Sequence, residues 1–301
     1  MSNQNSEQRN DHHRISPTAK LVAYWRAQSD IPYSVEIAKS VKAEEAAKEL
    51  LGERLGILTT LASPHLEARY KCINDGLRRE GLNNVLELAM GVSPRGLEYV
   101  TNSHQGIYVG TDLPDMLSET SGIIKGIAEK YGLSTQNIHL QTANVLDRKQ
   151  LEKAIHYFDG KRFGVCNEGL LMYLGREEQA QMAQNIREML LTSGGSWVTP
   201  DIDNLKEMEE RIASYNSEIR KVAEAVFMGI SNKTGRDIRE GYFPTEKEAL
   251  KFYGDLGFSV EPFPFYTGYN LSTSDRVTED MKPQVMKSLS TRNAWILKPK
   301  K

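Results

Sequence analysis

The stretch from residue 85 to residue 112 decides the fold, and it reads VLELAMG over 85–91, PRG over 94–96 and IYVGTD over 107–112. An apolar run ends at a turn of small residues, helix-compatible sequence follows, and a second apolar run ends at Asp112. About 20 residues separate Gly91 from Asp112, as expected between a turn that cradles a nucleotide and the carboxylate that holds its ribose. The spacing therefore predicts a strand–helix–strand unit with a ligand at the carboxyl ends of the strands.

The turn after the first strand differs from a dinucleotide fingerprint. G-x-G-x-x-G needs three glycines, and this chain has Ala89, Gly91 and Pro94 at those positions. Glu87, inside the first strand, would repel a pyrophosphate but would tolerate a cationic ligand, so we count it among the residues near the cofactor. These residues favour a nucleoside without phosphates, such as S-adenosylmethionine, over NAD. A strand–turn–helix unit without any ligand remains the alternative at this point.

Composition limits the classes of function. The chain has 301 residues and a formal net charge of −2, so it lacks the basic excess of a general nucleic-acid binder. No apolar stretch approaches the roughly 18 residues of a membrane span, and no signal-peptide core is seen at the start. Two cysteines, Cys72 and Cys166, form neither a disulfide framework nor a metal knuckle. We expect a cytoplasmic protein with no metal site, no nucleic-acid partner and no membrane partner.

Beyond residue 85 the chain alternates between short apolar runs and helical stretches, which predicts a parallel sheet with helices on both faces. Residues 17–84 read as helical, with a start signal at Ser16-Pro17 and further helices from Val35 to Leu50 and from His65 to Arg79. The strands are predicted at 85–89, 107–111, 137–142, 163–167 and 195–200, and the helices near 94–102, 115–131, 147–157 and 177–191.

After residue 200 the regular alternation of predicted strands and helices ends. A charged helix is predicted over 204–228 as a lid over the site, with an apolar stripe formed by Met208, Ile212, Tyr215, Ile219, Val222 and Val226. A helix at 245–256 and late strands at 257–263 and 293–297 complete an α/β, Rossmann-like, doubly wound sheet of seven strands, the last one antiparallel.

We expect a flexible tail at 1–16 and a single domain over 17–301. Its predicted parts are N-terminal helices at 17–84, a cofactor-binding core at 85–200, a helical lid and substrate region at 201–256, and C-terminal strands at 257–301.

Four segments together resemble a known family. They are Thr18-Ala19-Lys20 through Arg26-Ala27, Glu67-Ala68-Arg69-Tyr70, Thr111-Asp112-Leu113-Pro114, and the eight residues NEGLLMYL at 167–174. The last is similar, nearly letter for letter, to a signature of the leucine carboxyl methyltransferase family, which includes bacterial polyketide O-methyltransferases. The resemblance implies a class I S-adenosylmethionine-dependent methyltransferase, and it covers about residues 18–200.

This resemblance implies roles for individual residues at the cofactor. Arg69 would pair with the methionine carboxylate, since a planar guanidinium can hold both oxygens. Glu168, at the end of the fourth strand, would lie near the methionine moiety. Gly91 would let the backbone pass beside the cofactor.

The adenosine half of the cofactor would be held by the second and third strands. Asp112, followed by Leu113, would accept hydrogen bonds from the ribose hydroxyls. Asn144, followed by Val145, stands where the family usually has aspartate, and its carbonyl oxygen can still accept a bond from the adenine amino group. A second departure is Gly110, where the family often has an acid.

The methyl acceptor is the least determined part. A carboxylate is already ionised at neutral pH, whereas an alcohol or phenol needs a base. No histidine is well placed as that base, so Asp201 is the candidate, and Tyr173 and Tyr242 are the candidate substrate contacts. We expect an O-methyltransferase acting on a carboxylate or acidic hydroxyl of a small, polyketide-like molecule, as a monomer or a homodimer. The alternatives are a protein C-terminal carboxyl methyltransferase, an NAD-type oxidoreductase and a non-catalytic cofactor-binding protein.

Overall fold

The computed structural model describes residues 17–102, 106–215, 217, 220, 221, 224 and 237–301. Within these ranges the strands are β1 Val85–Leu88, β2 Tyr108–Asp112, β3 Ile138–Thr142, β4 Phe163–Asn167, β5 Gly195–Thr199, β6 Phe258–Pro264 and β7 Asn293–Pro299. They form one sheet in the order β3-β2-β1-β4-β5-β7-β6.

The first five strands run parallel, whereas β7 lies antiparallel between β5 and β6. The predicted α/β sheet of seven strands with an antiparallel last strand is therefore confirmed. This topology brings the carboxyl ends of β1, β2, β3, β4 and β5 to one edge, and the antiparallel β7 begins at that same edge. Ligands of open α/β sheets bind outside such an edge.

The helices are α1 Pro17–Arg26, α2 Ser34–Ser40, α3 Ala43–Leu51, α4 Leu55–Arg79, α5 Arg95–Thr101, α6 Pro114–Tyr131, α7 Arg148–Ile155, α8 Arg176–Ser193, α9 Leu205–Ser214, α10 Glu246–Asp255 and α11 Lys282–Ser290. The predicted helix from Val35 to Leu50 is divided in two, because Lys42 adopts a left-handed backbone with φ 51° between α2 and α3. The predicted start of the third helix at His65 is also wrong, since α4 begins at Leu55 and continues through Pro64. No helix within the described ranges is long and apolar enough to cross a membrane.

The predicted helix over 204–228 is not continuous. Its first part is α9, which ends at Ser214, and Tyr215 takes an extended backbone with φ −82° and ψ 159°. Ile219, Val222 and Val226 of the predicted stripe, like the predicted tail at 1–16, lie outside the described residues. The lid therefore stays a prediction.

Side chains of the central strands alternate between two buried faces of the sheet. Leu86 and Leu88 join the core beneath α7, α8 and α10, whereas Val85 joins the core beneath α4 and α11. Because both faces are covered, the strands read as nearly continuous apolar runs. The exception is Glu87, which is 1% exposed in the middle of β1 and must find polar partners inside the protein.

Candidate functional site

The turn after β1 and the end of β2 are joined by a direct contact. The Gly91 amide donates to Asp112 Oδ2 at 2.7 Å, and the Leu113 amide donates to Asp112 Oδ1 at 2.8 Å. Burial raises the pKa of Asp112 above its ordinary value, although these two amide donors act to lower it. The two residues that the sequence spacing singles out are thus brought together at the carboxyl edge of the sheet.

Backbone geometry shapes this turn. Both Ala89 and Gly91 have left-handed φ angles, of 49° and 55°. Such a conformation is natural for glycine and unfavourable for alanine. A Cβ placed on Gly91 would meet no atom within 4 Å in the described part of the chain, so the turn borders open space.

Three arginines surround Glu168 at the end of β4. Arg26 Nη2 donates to Oε1 at 2.7 Å, Arg69 Nε donates to the same oxygen at 3.1 Å, and Arg95 Nη2 donates to Oε2 at 3.2 Å. The Glu168 side chain is only 5% exposed. Burial acts to raise its pKa, but the three guanidinium charges outweigh burial and lower the pKa to about 2. Glu168 is therefore ionised at any ordinary pH.

Arg95 links this cluster to Glu87. Its Nε donates to Glu87 Oε1 at 3.3 Å, and the Tyr108 hydroxyl donates to Glu87 Oε2 at 2.6 Å. The ring of Tyr70 lies 4.1 Å from the Arg95 guanidinium carbon and 5.4 Å from that of Arg26. Glu87 thus lies on the face of the sheet, within the protein, and its predicted direct contact with a cofactor stays a prediction.

The charges of the cluster are balanced, and one donor is left over. Arg26, Arg69 and Arg95 are opposed by Glu168, by Glu87 and, at Arg69, by the nearby Asp201. Arg26 Nε is buried and has no hydrogen-bond partner among the described residues. An acceptor that reaches this place could therefore satisfy that donor.

Asp201, the candidate base, holds the loop that follows β4. Its carboxylate accepts from Asn167 Nδ2 at 2.6 Å, from the Gly169 amide at 2.9 Å and from the Leu170 amide at 2.8 Å. Burial raises its pKa, against the opposing charge of Arg69 and the two amide donors. Because three donors already occupy this carboxylate, the geometry favours an anchoring role for it.

The two tyrosines proposed as substrate contacts lie near the same edge. Burial raises the pKa of Tyr173, while a hydrogen bond with Thr18 and the charge of Arg69 oppose that shift. Burial also raises the pKa of Tyr242, and the charge of Asp203 adds to it. Both hydroxyls are therefore protonated at neutral pH.

Asn144 follows β3 and is exposed, whereas Val145 beside it is 8% exposed. The amide of Asn144 donates to Gln150 Oε1 at 2.8 Å, and Asn144 Oδ1 accepts from the Leu146 amide at 3.0 Å. Asn144 Oδ1, the oxygen that the family resemblance places near adenine, keeps one lone pair for a ligand. Across the described chain, no three His, Cys, Asp or Glu side chains are grouped so that they could hold a metal ion.

Sequence reasoning assigned no role to Arg26 or Arg95. Both lie within segments quoted above, and Arg95 begins a helix, where the helix dipole disfavours a cation. Glu87 is an acid inside a buried strand, and Arg95 is a basic residue at the start of the helix that follows. This combination was the signal for an internal ion pair.

No protein-family model and no curated protein matches the chain. Several solved structures have a similar layout, and methyltransferases are among them. The methyltransferase domain of a bacterial protein is 12% identical, covering 79% of this chain and 100% of its own, with a TM-score of 0.49. An O-methyltransferase family protein from Burkholderia thailandensis is 16% identical, covering 88% and 71%, with a TM-score of 0.45. Magnesium protoporphyrin IX methyltransferase from Synechocystis, solved with bound S-adenosylhomocysteine, is 13% identical, covering 80% and 85%, with a TM-score of 0.43. At these identities the likeness concerns the layout of the chain alone.

Proposed function

We propose that this chain is an S-adenosylmethionine-dependent O-methyltransferase with a small-molecule acceptor. The observation that carries the proposal is the pairing of Gly91 with Asp112 at the ends of β1 and β2, beside open space. A half-buried carboxylate fixed by two backbone amides keeps further lone pairs for a pair of ribose hydroxyls. The same edge carries the resemblance to the leucine carboxyl methyltransferase family at Glu168 and the residues after it.

The adenosine half fits the polar groups at the ends of β2 and β3. In this proposal Asp112 accepts from the ribose hydroxyls, and Asn144 accepts from the adenine amino group. Leu113, which is 43% exposed, and Val145 supply apolar surface on which the base can pack.

The methionine half fits the arginine cluster. The arginines around Glu168 offer donors to the methionine carboxylate, and the unpartnered Arg26 Nε is a buried donor for which no protein acceptor is described. We assign the carboxylate to Arg69, whose guanidinium lies against Gly169 with Nη2 3.3 Å from the place a Cβ would take there. Since Gly169 has a φ of 72°, this close approach is open to glycine.

When bound, S-adenosylmethionine supplies an activated methyl group, which forms a bond to the acceptor oxygen as its bond to sulfur breaks and leaves S-adenosylhomocysteine. The work of this chain is to align the two reactants and exclude water, and such alignment lowers barriers by about 7–11 kcal/mol in favourable cases. The protonated hydroxyls of Tyr173 and Tyr242 can orient an acceptor oxygen. A carboxylate acceptor needs no base, which agrees with an Asp201 already engaged by three donors.

Calorimetry with S-adenosylhomocysteine and with NADH tests the class of cofactor. We expect saturable heat with S-adenosylhomocysteine and none with NADH, because Glu87 and the missing glycines disfavour a pyrophosphate. Heat with NADH alone would refute the proposal in favour of an NAD-type oxidoreductase.

The acceptor is tested with S-adenosylmethionine carrying a labelled methyl group, offered with organic acids, phenols and peptides with free C-termini. Label in a base-labile ester of a small acid is the expected result. Label in peptides alone would favour the protein C-terminal carboxyl methyltransferase. Cofactor binding without transfer to any acceptor would favour a non-catalytic cofactor-binding protein.

A further inference from the structure

A second polar cluster lies at the same edge of the sheet, and the proposed cofactor contacts use none of its members. Asp203 follows β5, Arg292 immediately precedes β7, and Arg211 lies in α9. Arg292 Nη2 donates to Asp203 Oδ2 at 2.8 Å, and Arg211 Nη2 lies 3.8 Å from Asp203 Oδ1. The side chains are 12%, 18% and 19% exposed for Arg292, Arg211 and Asp203. Two largely buried arginines therefore share one carboxylate.

Each arginine of this pair keeps an unused donor. Arg211 Nη1 and Arg292 Nε are buried and have no hydrogen-bond partner in the part of the chain that the structure describes. Buried donors are nearly always satisfied by protein, water or ligand. The Arg292 guanidinium is also fixed in place, since its carbon lies 4.2 Å from the centre of the Phe265 ring. These donors are therefore held ready for an acceptor from outside the described chain.

The surrounding charges favour an anion. Burial lowers the pKa of His65 in α4 to about 3, and the charges of Arg292, Arg211 and Arg69 act in the same direction. The histidine is thus neutral at ordinary pH and adds no charge of its own. Among the described ion pairs, Asp203 is the carboxylate that contacts both arginines, and Glu207 of α9 acts on Arg211 more weakly. In direct contact, two arginines therefore face one carboxylate.

The cluster adjoins the proposed reaction site. The charges of Asp203, Arg292 and Arg211 act on the pKa of Tyr242. So does the charge of Asp201, which anchors the loop after Glu168. The backbone continues this link, since Asp201 and Asp203 are two residues apart and the Asp203 amide donates to the Asp201 carbonyl at 2.9 Å. An acceptor bound at the arginine pair would therefore extend toward the cofactor edge.

We propose that Arg211 and Arg292 form the recognition site for a carboxylate of the methyl acceptor, so that the substrate is an organic acid. That this carboxylate belongs to the methyl acceptor rests on the proposed function. Binding of an anion at the two arginines can be tested without it. Guanidinium groups hold planar carboxylates through paired hydrogen bonds and discriminate against neutral groups of the same shape. Tyr242 supplies a further donor at the border of the site.

Thermal unfolding with benzoate and with benzamide as probes tests the site, with equal sodium chloride as the reference. The two probes have the same ring and nearly the same shape and differ in charge. A ligand at ten times its Kd raises the folded-to-unfolded ratio about elevenfold. For a chain of this size that corresponds to a rise in Tm of about 2 °C. We expect this rise with benzoate and none with benzamide.

Variants locate the effect. Arg211→Gln and Arg292→Gln should abolish the benzoate shift, and Arg292→Lys, which keeps the charge beside Asp203, should retain part of it. Arg78→Gln is the matched control, because Arg78 is 73% exposed near the C-terminal end of α4. It lies about 20 Å along that helix from His65. Calorimetry with S-adenosylhomocysteine on each variant shows that it is folded and that its cofactor site is intact.

No benzoate shift in the wild-type protein, an equal shift with benzamide, or a shift that survives in both glutamine variants would each overturn the carboxylate site. Failure of the wild-type protein to bind S-adenosylhomocysteine would instead overturn the proposed function and leave the benzoate result standing.

Discussion

Replacing Glu168 by glutamine should destabilise the protein strongly at neutral pH. The change keeps the shape of the side chain but removes the negative charge that Arg26, Arg69 and Arg95 share. All three pairs lie inside the protein, with side-chain exposures of 6%, 17% and 2% for the arginines. Removing one partner of a buried ion pair is costly because the remaining charge has no compensation, and about 3–5 kcal/mol is typical.

The pKa of Glu168 gives an independent magnitude. Its lowering from 4.5 to about 2 corresponds to about 3 kcal/mol, at about 1.36 kcal/mol for each pH unit. Because the folded-state pKa is depressed, this stabilisation is complete above pH 4.5 and disappears as the pH falls toward 2. At pH 3.5 about 2 kcal/mol of it should remain by the same relation.

Urea unfolding at pH 7 and pH 3.5 measures this effect as the difference between Glu168→Gln and the wild-type protein. The difference should shrink by about 1 kcal/mol between the two pH values. Glu152→Gln is the control, since Glu152 is 48% exposed in its ion pair with Arg148 and should change stability by less than about 1 kcal/mol. A Glu168→Gln variant within about 1 kcal/mol of the wild-type protein at pH 7 would show that this carboxylate is not what stabilises the three arginines.

Three other variants test the cofactor site. Arg69→Ala should weaken S-adenosylhomocysteine binding by about 1.5–3 kcal/mol, as seen for charged hydrogen bonds, whereas calorimetry of Arg78→Ala should show unchanged affinity. Asp112→Asn should weaken the same binding at least tenfold, or about 1.4 kcal/mol, because the new side-chain nitrogen can accept neither from a ribose hydroxyl nor from the backbone amide that the lost oxygen faced. Ala89→Gly should raise the free energy of unfolding by about 0.5–1 kcal/mol, because φ is 49° there, and an unchanged or lower midpoint would contradict the backbone strain.

The central strands could be predicted from sequence because parallel strands covered on both faces read as apolar runs with turn residues between them. The errors lie where one backbone angle or one proline decides the outcome. Lys42 takes a left-handed backbone that its residue type does not predict, and this angle divides the predicted helix. Pro64, a residue that usually ends a helix, is buried inside α4, which packs against β5 and β7.

Candidate residues at strand ends were predictable because topology alone brings such ends to one edge. Gly91 and Asp112 meet there as the spacing indicates. Their partners were not predictable, since they depend on how distant helices fold back. Arg26 lies 142 residues from Glu168 in the chain, and the arginine pair at Asp203 joins residues 89 apart. Contacts at such separations follow from the packing of α1 and β7, which local sequence patterns do not encode.

A crystal structure with S-adenosylhomocysteine is the most direct test of a cofactor site at the carboxyl edge of the sheet. We expect the ribose hydroxyls on Asp112, the adenine beside Asn144 and the amino-acid carboxylate at Arg69. Ligand bound in another cleft, or a fully soaked crystal with this edge empty, would contradict it.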